Sequence, residues 1–167
     1  MTASAKVNLN IDAAISGSPD LGSAVHSFSE TFAQAMANGS GAGQISQVFS
    51  DIRTLALSAN EDLDLAGSLV NGLGATVTFT AIKGIVVLAD AGNGDNIEVG
   101  GAAANGLINW VGDASDKIVV EPGGCFALFT PSAAGYAVTA GTGDLLRITN
   151  ADGAASANYT IILLGIE

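Results

Sequence analysis

The side chains that can do chemistry are few and lie far apart in the sequence. The 167-residue chain contains one histidine, His26, and one cysteine, Cys125. A catalytic triad or a metal site built from histidines can therefore draw on one histidine at most. Because Cys125 follows two glycines and precedes Phe126, we predict a buried core thiol without a nearby base. A single cysteine cannot form an intrachain disulfide, which favours synthesis in the cytoplasm.

Acidic residues supply the other candidate sites. Asp62 and Asp64 alternate with leucines next to Glu61, and hard oxygens at alternate strand positions can bind Ca²⁺. The glycine and final glutamate of an EF-hand loop are missing, so a charged solvent face is the favoured interpretation. No glycine-rich segment has the flanking helix of a phosphate-binding loop. We therefore predict that the protein is not an enzyme and has no cofactor or metal.

The composition argues against nucleic acid or an anionic membrane as a partner, and it indicates the fold class. Five basic residues against 16 acidic ones give a net charge of −11, and no basic patch favours nucleic acid or an anionic membrane. No apolar run is long enough to span a bilayer, and no signal peptide is evident. Charged residues make up only 13% of the chain and glycine contributes 22 positions, which is typical of an all-β protein with many turns.

The last quarter of the chain has the clearest strand pattern. Residues 145–149 alternate between the two faces of a strand after a Gly-Thr-Gly-Asp turn at 141–144. Residues 159–164 are almost wholly apolar, which predicts a strand near the middle of a sheet, buried on both faces. This series of short strands separated by turns predicts a jelly-roll-like two-sheet β-sandwich. Further strands are predicted at residues 62–65, 77–88 (one or two strands), 97–99, 107–111, 117–120, 125–129 and 136–139.

Residues 1–60 differ from the rest and are predicted to form an extended N-terminal arm, with residues 61–167 as the sandwich body. Residues 7, 9 and 11 alternate as in a strand. Segments 24–37 and 44–57 fit both a helical stripe and a strand alternation, and we favour an extended hairpin with flexible joints at 17–22 and 38–43. Apolar residues that a lone arm cannot bury are predicted to make assembly contacts: Val7, Leu9, Ile11, Phe28, Phe32, Phe49 and Ile52.

Several strand and turn motifs resemble those of tailed-phage and prophage virion structural proteins. They are EDLDLAGSL at 61–69, IKGIVV at 82–87, EPGGCF at 121–126, VTAGTGDLLRITN at 138–150 and YTIILLG at 159–165. The resemblance runs from about residue 41 to the C-terminus. It implies a capsid decoration (cement) protein with a jelly-roll body, no catalytic residues, and a place on the capsid surface. The resemblance also implies a homotrimer that is made in the host cytoplasm and binds the major capsid protein.

Two other functions stay open from the sequence. The first is a structural subunit of the phage neck, tail or fibre base, which shares the same motifs. The second is a carbohydrate-binding β-sandwich, which needs an aromatic platform. Only Trp110, Tyr136 and Tyr159 are available to form one.

Overall fold

The computed structural model describes residues 2–167, and this part of the chain contains strands, turns and bends without any helix. The described residues accordingly include no helix able to cross a membrane. The strands are β1 (Ala5–Gly17), β2 (Ala24–Asn38), β3 (Gln44–Ile45), β4 (Gln47–Leu55), β5 (Asn60–Asp64), β6 (Leu69–Val70), β7 (Thr76–Val77), β8 (Ala81–Ala89), β9 (Ile97–Gly100), β10 (Lys117–Val120), β11 (Cys125–Phe129), β12 (Tyr136–Ala137), β13 (Leu145–Asn150) and β14 (Ala157–Ile166).

Two antiparallel sheets form a sandwich, which we call the body. One sheet has the order β10-β9-β13-β5; the other, the large sheet, has the order β11-β8-β14-β4, and β12 pairs with the start of β8. Side chains from the inner faces of both sheets form one apolar core. The predicted all-β class and sandwich arrangement are confirmed.

The C-terminal strand lies inside the large sheet, as its apolar run predicts. β14 is hydrogen-bonded to β4 on one side and to β8 on the other. Ile161 and Leu163 are fully buried in the core, and Leu164 is buried on the opposite face. A run that is apolar on both faces is stable in water only where both faces are covered.

The long N-terminal hairpin stands apart from the sandwich. β1 pairs antiparallel over its whole length with β2, from Ala5 opposite Met36 to Gly17 opposite Ala24. The last two residues of β2 pair in parallel with β3. At about 3.3 Å per residue, β1 is roughly 40 Å long and β2 roughly 50 Å long. We call this hairpin, residues 5–38, the arm.

The predicted boundary at residue 60 differs from the structure. The segment 44–57 does not pair with 24–37 in a hairpin; β2 pairs with β1, and β4 pairs with nine residues of β14. Phe49 and Leu55 of β4 lie in the body core. The extended conformation of both segments is as predicted, and the body begins near residue 44.

Two further details of the strand prediction are settled. Residues 77–88 form two strands, β7 and β8, and not one. The predicted strand at 107–111 is wrong, because the backbone turns there: Val111 N donates to Ile108 O, and the indole of Trp110 donates to Leu107 O at 2.8 Å. These local hydrogen bonds take the place of a sheet ladder.

Candidate assembly interface

The two faces of the arm differ in chemistry because side chains alternate along each strand. The odd-numbered residues of β1 share a face with the even-numbered residues of β2. The large apolar side chains on that shared face, which we call the apolar face of the arm, are Val7, Leu9, Ile11, Ile15, Phe28, Phe32 and Met36. The opposite face carries mostly small or polar residues, and there Thr31 donates a hydrogen bond to Asn10 at 2.7 Å.

Only the base of the arm touches the body. Met36 is buried with Ile45 and Leu164, and Ala5 and Val7 pack against this small cluster. Every residue from Ala14 to Ala33 is exposed. Most of the apolar face therefore lies in solvent.

Exposure along the apolar face is high for side chains of this kind. Leu9 is 55% exposed, Ile15 is 71% exposed, and Phe28 is 52% exposed. Ile11 and Phe32 are exposed to a similar degree. The polar residues Gln34, Glu30 and His26 lie on the same face, opposite Val7, Ile11 and Ile15. A surface that exposes this many large apolar side chains marks an interaction site in a folded protein.

The predicted assembly residues fall into three groups. Leu9, Ile11, Phe28 and Phe32 lie together on the exposed apolar face, with Val7 half-buried at its base. Phe49 is wrong as an assembly residue, because it is 2% exposed within the body core. Ile52 lies elsewhere, exposed on the large sheet.

Sequence reasoning missed Ile15 and Met36, which also belong to the apolar face. Ile15 continues the odd-numbered alternation of the first strand and was detectable from that pattern. Met36 lies in the segment 24–37, whose apolar pattern fits both a helix and a strand. Its position opposite Ala5 depends on the hairpin register, which the sequence does not state.

The outward side of the large sheet is a second apolar surface, and we call it the outer sheet face. The register aligns uncharged residues in rungs across β11, β8, β14 and β4. The rung covered by the arm base contains Phe129, Gly84, Leu164 and Val48. The two open rungs contain Cys125, Leu88, Thr160 and Ile52, and Ala127, Val86, Ile162 and Ser50.

A groove of about 650 Å³ separates the arm from the outer sheet face. Leu9 and Phe32 line one wall, and Val86, Cys125 and Ile162 line the other. Lys6 and Asn8 also line the groove, but most of its lining residues are apolar.

The loop at the base of the arm, residues 39–43, is tied to the body. Lys83 Nζ donates to Gly41 O at 2.7 Å, and Gly43 N donates to Pro131 O at 2.8 Å. The φ angle of Gly39 is 141°, a backbone conformation that favours glycine. The predicted flexible joint at 38–43 is therefore a hydrogen-bonded loop that sets the direction in which the arm leaves the body.

Lys83 is a feature that the sequence did not reveal. Its side chain is fully buried, with one hydrogen bond to the carbonyl of the loop. Burial lowers the pKa of the Lys83 ammonium below its ordinary value. The positive charge is thus costly at this position.

The carboxylates considered for Ca²⁺ accept hydrogen bonds from groups of the body, and Asp64 accepts one from the backbone N–H of Ala66 at 2.9 Å. Asp62 accepts two hydrogen bonds from Arg147 across the strand pair β5–β13, at 2.8 and 2.7 Å. Glu61 faces Arg53 and accepts a hydrogen bond from the Tyr159 hydroxyl at 2.6 Å. No group of three histidine, cysteine or carboxylate side chains that could hold a metal occurs among residues 2–167.

These contacts account for the pKa shifts in the body. The hydrogen bond to Glu61 raises the pKa of Arg53, and burial followed by the bond to Glu61 raises the pKa of Tyr159. The bond to Asp62 raises the pKa of Arg147. Each shift keeps the group in its usual state at neutral pH, with both arginines charged and Tyr159 neutral. These groups therefore stabilise the body through ion pairs and hydrogen bonds.

The lone cysteine is not the core thiol that the sequence predicts. Cys125 is exposed, opposite Leu88 on the outer sheet face. Its neighbours Phe126 and Leu128 pack against the core, so the alternation of β11 turns Cys125 outward. His26 lies on the arm opposite Ile15.

The three aromatic residues considered for sugar binding pack within the body. Trp110 lies 5.5 Å from Phe126, between ring centroids, and Tyr136 packs against the core. Tyr159 is almost fully buried. They do not form a shared exposed platform.

Comparison with known proteins found no matching family model, no matching curated protein and no matching solved structure.

Proposed function

We propose that the protein is a non-enzymatic structural subunit of a virion, most specifically a capsid decoration protein. In this proposal it has a jelly-roll body, forms a homotrimer and binds the major capsid protein on the head surface. The observation that carries the assembly role is the arm, whose apolar face lies uncovered outside the body. The choice of a phage head rests on the resemblance of the motifs between residues 61 and 165.

The arm is costly for an isolated subunit. A two-stranded hairpin alone is at best marginally stable in water, and this one exposes apolar side chains along its length. Complete burial of one such side chain contributes about 1.5–3 kcal/mol. Because Leu9, Ile11, Ile15, Phe28 and Phe32 are each about half exposed or more, covering all five contributes on the order of 5 kcal/mol.

The burial energy of one arm is too small to hold two subunits together by itself. Association of two proteins costs about 4–15 kcal/mol in lost freedom, so one covered arm barely offsets the cost. A closed ring, in which several arms are covered at once, is needed for a stable assembly. This argument supports an oligomer whose subunits all use the arm.

The proposed mechanism on the shell is mass action. A subunit that binds only the assembled shell stabilises that state in proportion to its occupancy. Such a role needs a rigid body and a binding element, and it needs no catalytic group. The antiparallel sandwich and the projecting arm meet these requirements.

Copy number per particle separates head from tail. Virions should be purified from a host strain that encodes the chain, and its molar ratio to the major capsid protein measured by quantitative mass spectrometry. A decoration protein should be present in amounts similar to the major capsid protein, whereas a neck or tail subunit should be present as one ring. Absence of the chain from purified particles would overturn the proposal.

A rebinding experiment tests the role of the arm on the shell. Particles from a strain lacking the gene should bind the added full-length chain and should not bind a chain that begins at residue 39. Equal rebinding of both chains would show that attachment does not use the arm.

A further inference from the structure

We infer that the apolar face of the arm binds the outer sheet face of a second copy of this chain, so that subunits exchange arms head to tail. The inference rests on the assembly role proposed above. It goes further by naming both the surface that receives the arm and its partner.

The receiving surface is matched to the arm in chemistry. Both open rungs of the outer sheet face are uncharged. Ile52 is 77% exposed and Leu88 is 40% exposed, although each lies in a sheet whose other side is the core. The arm's apolar face likewise exposes five large aliphatic or aromatic side chains, and Glu30, opposite Ile11, is the acidic residue on that face.

The areas fit a stable contact between copies. At about 200 Å² for a large side chain, the exposed parts of Leu9, Ile11, Ile15, Phe28 and Phe32 amount to about 500 Å². Ile52 and Leu88 add about 200 Å² on the outer sheet face. A subunit that both gives and receives an arm thus covers about 700 Å² of these side chains alone, close to the 800 Å² per partner of a standard interface.

The attachment of the arm favours a second copy over the subunit's own sheet. Lys83 and Pro131 accept or donate the hydrogen bonds that hold the loop 39–43. Met36, at the base of the arm, is buried against the body. These contacts fix the arm at a distance from its own sheet and leave the groove open. Every copy carries the same arm and the same receiving face, so a closed head-to-tail ring covers all of them without a second protein.

Disulfide trapping tests the exchange, because the single native cysteine lies on the receiving face. An Ile11→Cys variant of the full chain places a thiol on the apolar face of the arm. We expect mild oxidation of the purified variant to give disulfide-linked multimers on a non-reducing gel, with the linkage between residues 11 and 125 identified by peptide mapping. Asp12→Cys, on the opposite face of the arm, is the matched control and should give less than a tenth of that product.

Other products would overturn the inference. A disulfide within one chain would show that the arm folds onto its own sheet. Dimers formed by Ile11→Cys in a Cys125→Ser background would show that arms pair with each other. If Ile11→Cys forms no more product than Asp12→Cys, the outer sheet face does not receive the arm.

The trapping experiment is independent of the virion proposal. Exchange without incorporation into particles would leave the inference intact and overturn the capsid role. Incorporation without exchange would keep the capsid role and direct the arm toward the shell protein.

Discussion

Among single residues, Lys83 has the most unusual position. It is fully buried and donates to the carbonyl of Gly41 in the loop that holds the arm. A buried ammonium is tolerated where it is hydrogen-bonded, and burial lowers its pKa. The burial of the Lys83 ammonium thus lowers the stability of the body, while its hydrogen bond fixes the direction of the arm.

This burial predicts a pH dependence. Because the pKa of Lys83 is lowered in the folded state, the unfolded chain binds more protons between that lowered value and the ordinary value of 10.5. The free energy of unfolding should therefore rise with pH in this interval, by up to about 1.4 kcal/mol per pH unit. Urea denaturation from pH 7 to 10.5 should show the rise for the native chain and its loss in Lys83→Met.

A surface lysine provides the control for that measurement. Lys117 is exposed and paired with Glu98 at 2.8 Å. If Lys83→Met and Lys117→Met follow the same pH curve, burial of Lys83 has no part in the pH dependence of stability.

At the level of elements, the arm and β4 have opposite roles although they are close in sequence. The arm packs only at its base, where Met36 is buried with Ile45 and Leu164, whereas β4 supplies Phe49 and Leu55 to the core. The body thus begins with β3 and β4, and the arm is an appendage in front of it.

Local sequence patterns predict the extended strands of the arm, but they do not predict where the body begins. The alternation of Val7, Leu9 and Ile11 predicts a strand with one apolar face, and the apolar run at 159–164 predicts a strand inside a sheet, which is β14. The burial of Phe49 depends on pairing with Leu163 at the far end of the chain, which no local period encodes. Cys125 was misjudged because its apolar neighbours do not say which of them face the core.

Two deletions separate these roles. A chain of residues 39–167 retains both sheets and should melt cooperatively as a β protein. A chain of residues 61–167 loses Phe49 and Leu55, whose removal costs about 2–5 kcal/mol each, together with the edge strand paired to β14. Since total stability is about 5–15 kcal/mol, this shorter chain should not fold.

Circular dichroism with thermal melting distinguishes the two deletions. A cooperative transition for residues 61–167 would show that the body folds without β4, as a boundary at residue 60 requires. Failure of residues 39–167 to fold would show that the arm base is part of the core.

In the molecule as a whole, two apolar surfaces are not buried by the chain itself. The body has a closed core, whereas the apolar face of the arm and the outer sheet face are open on either side of one groove. Both surfaces are present in every copy. The central claim is that copies of the chain cover these surfaces for one another.

The mass of the purified protein in solution tests this claim most directly. Light scattering coupled to gel filtration should give three times the 16.5 kDa mass of the chain for the native protein. Ser27→Asp, on the polar face of the arm, should keep that mass, and Phe28→Asp, on the apolar face, should reduce it to 16.5 kDa. A native protein that stays at 16.5 kDa across micromolar concentrations, or a Phe28→Asp variant that keeps the full mass, would contradict the account.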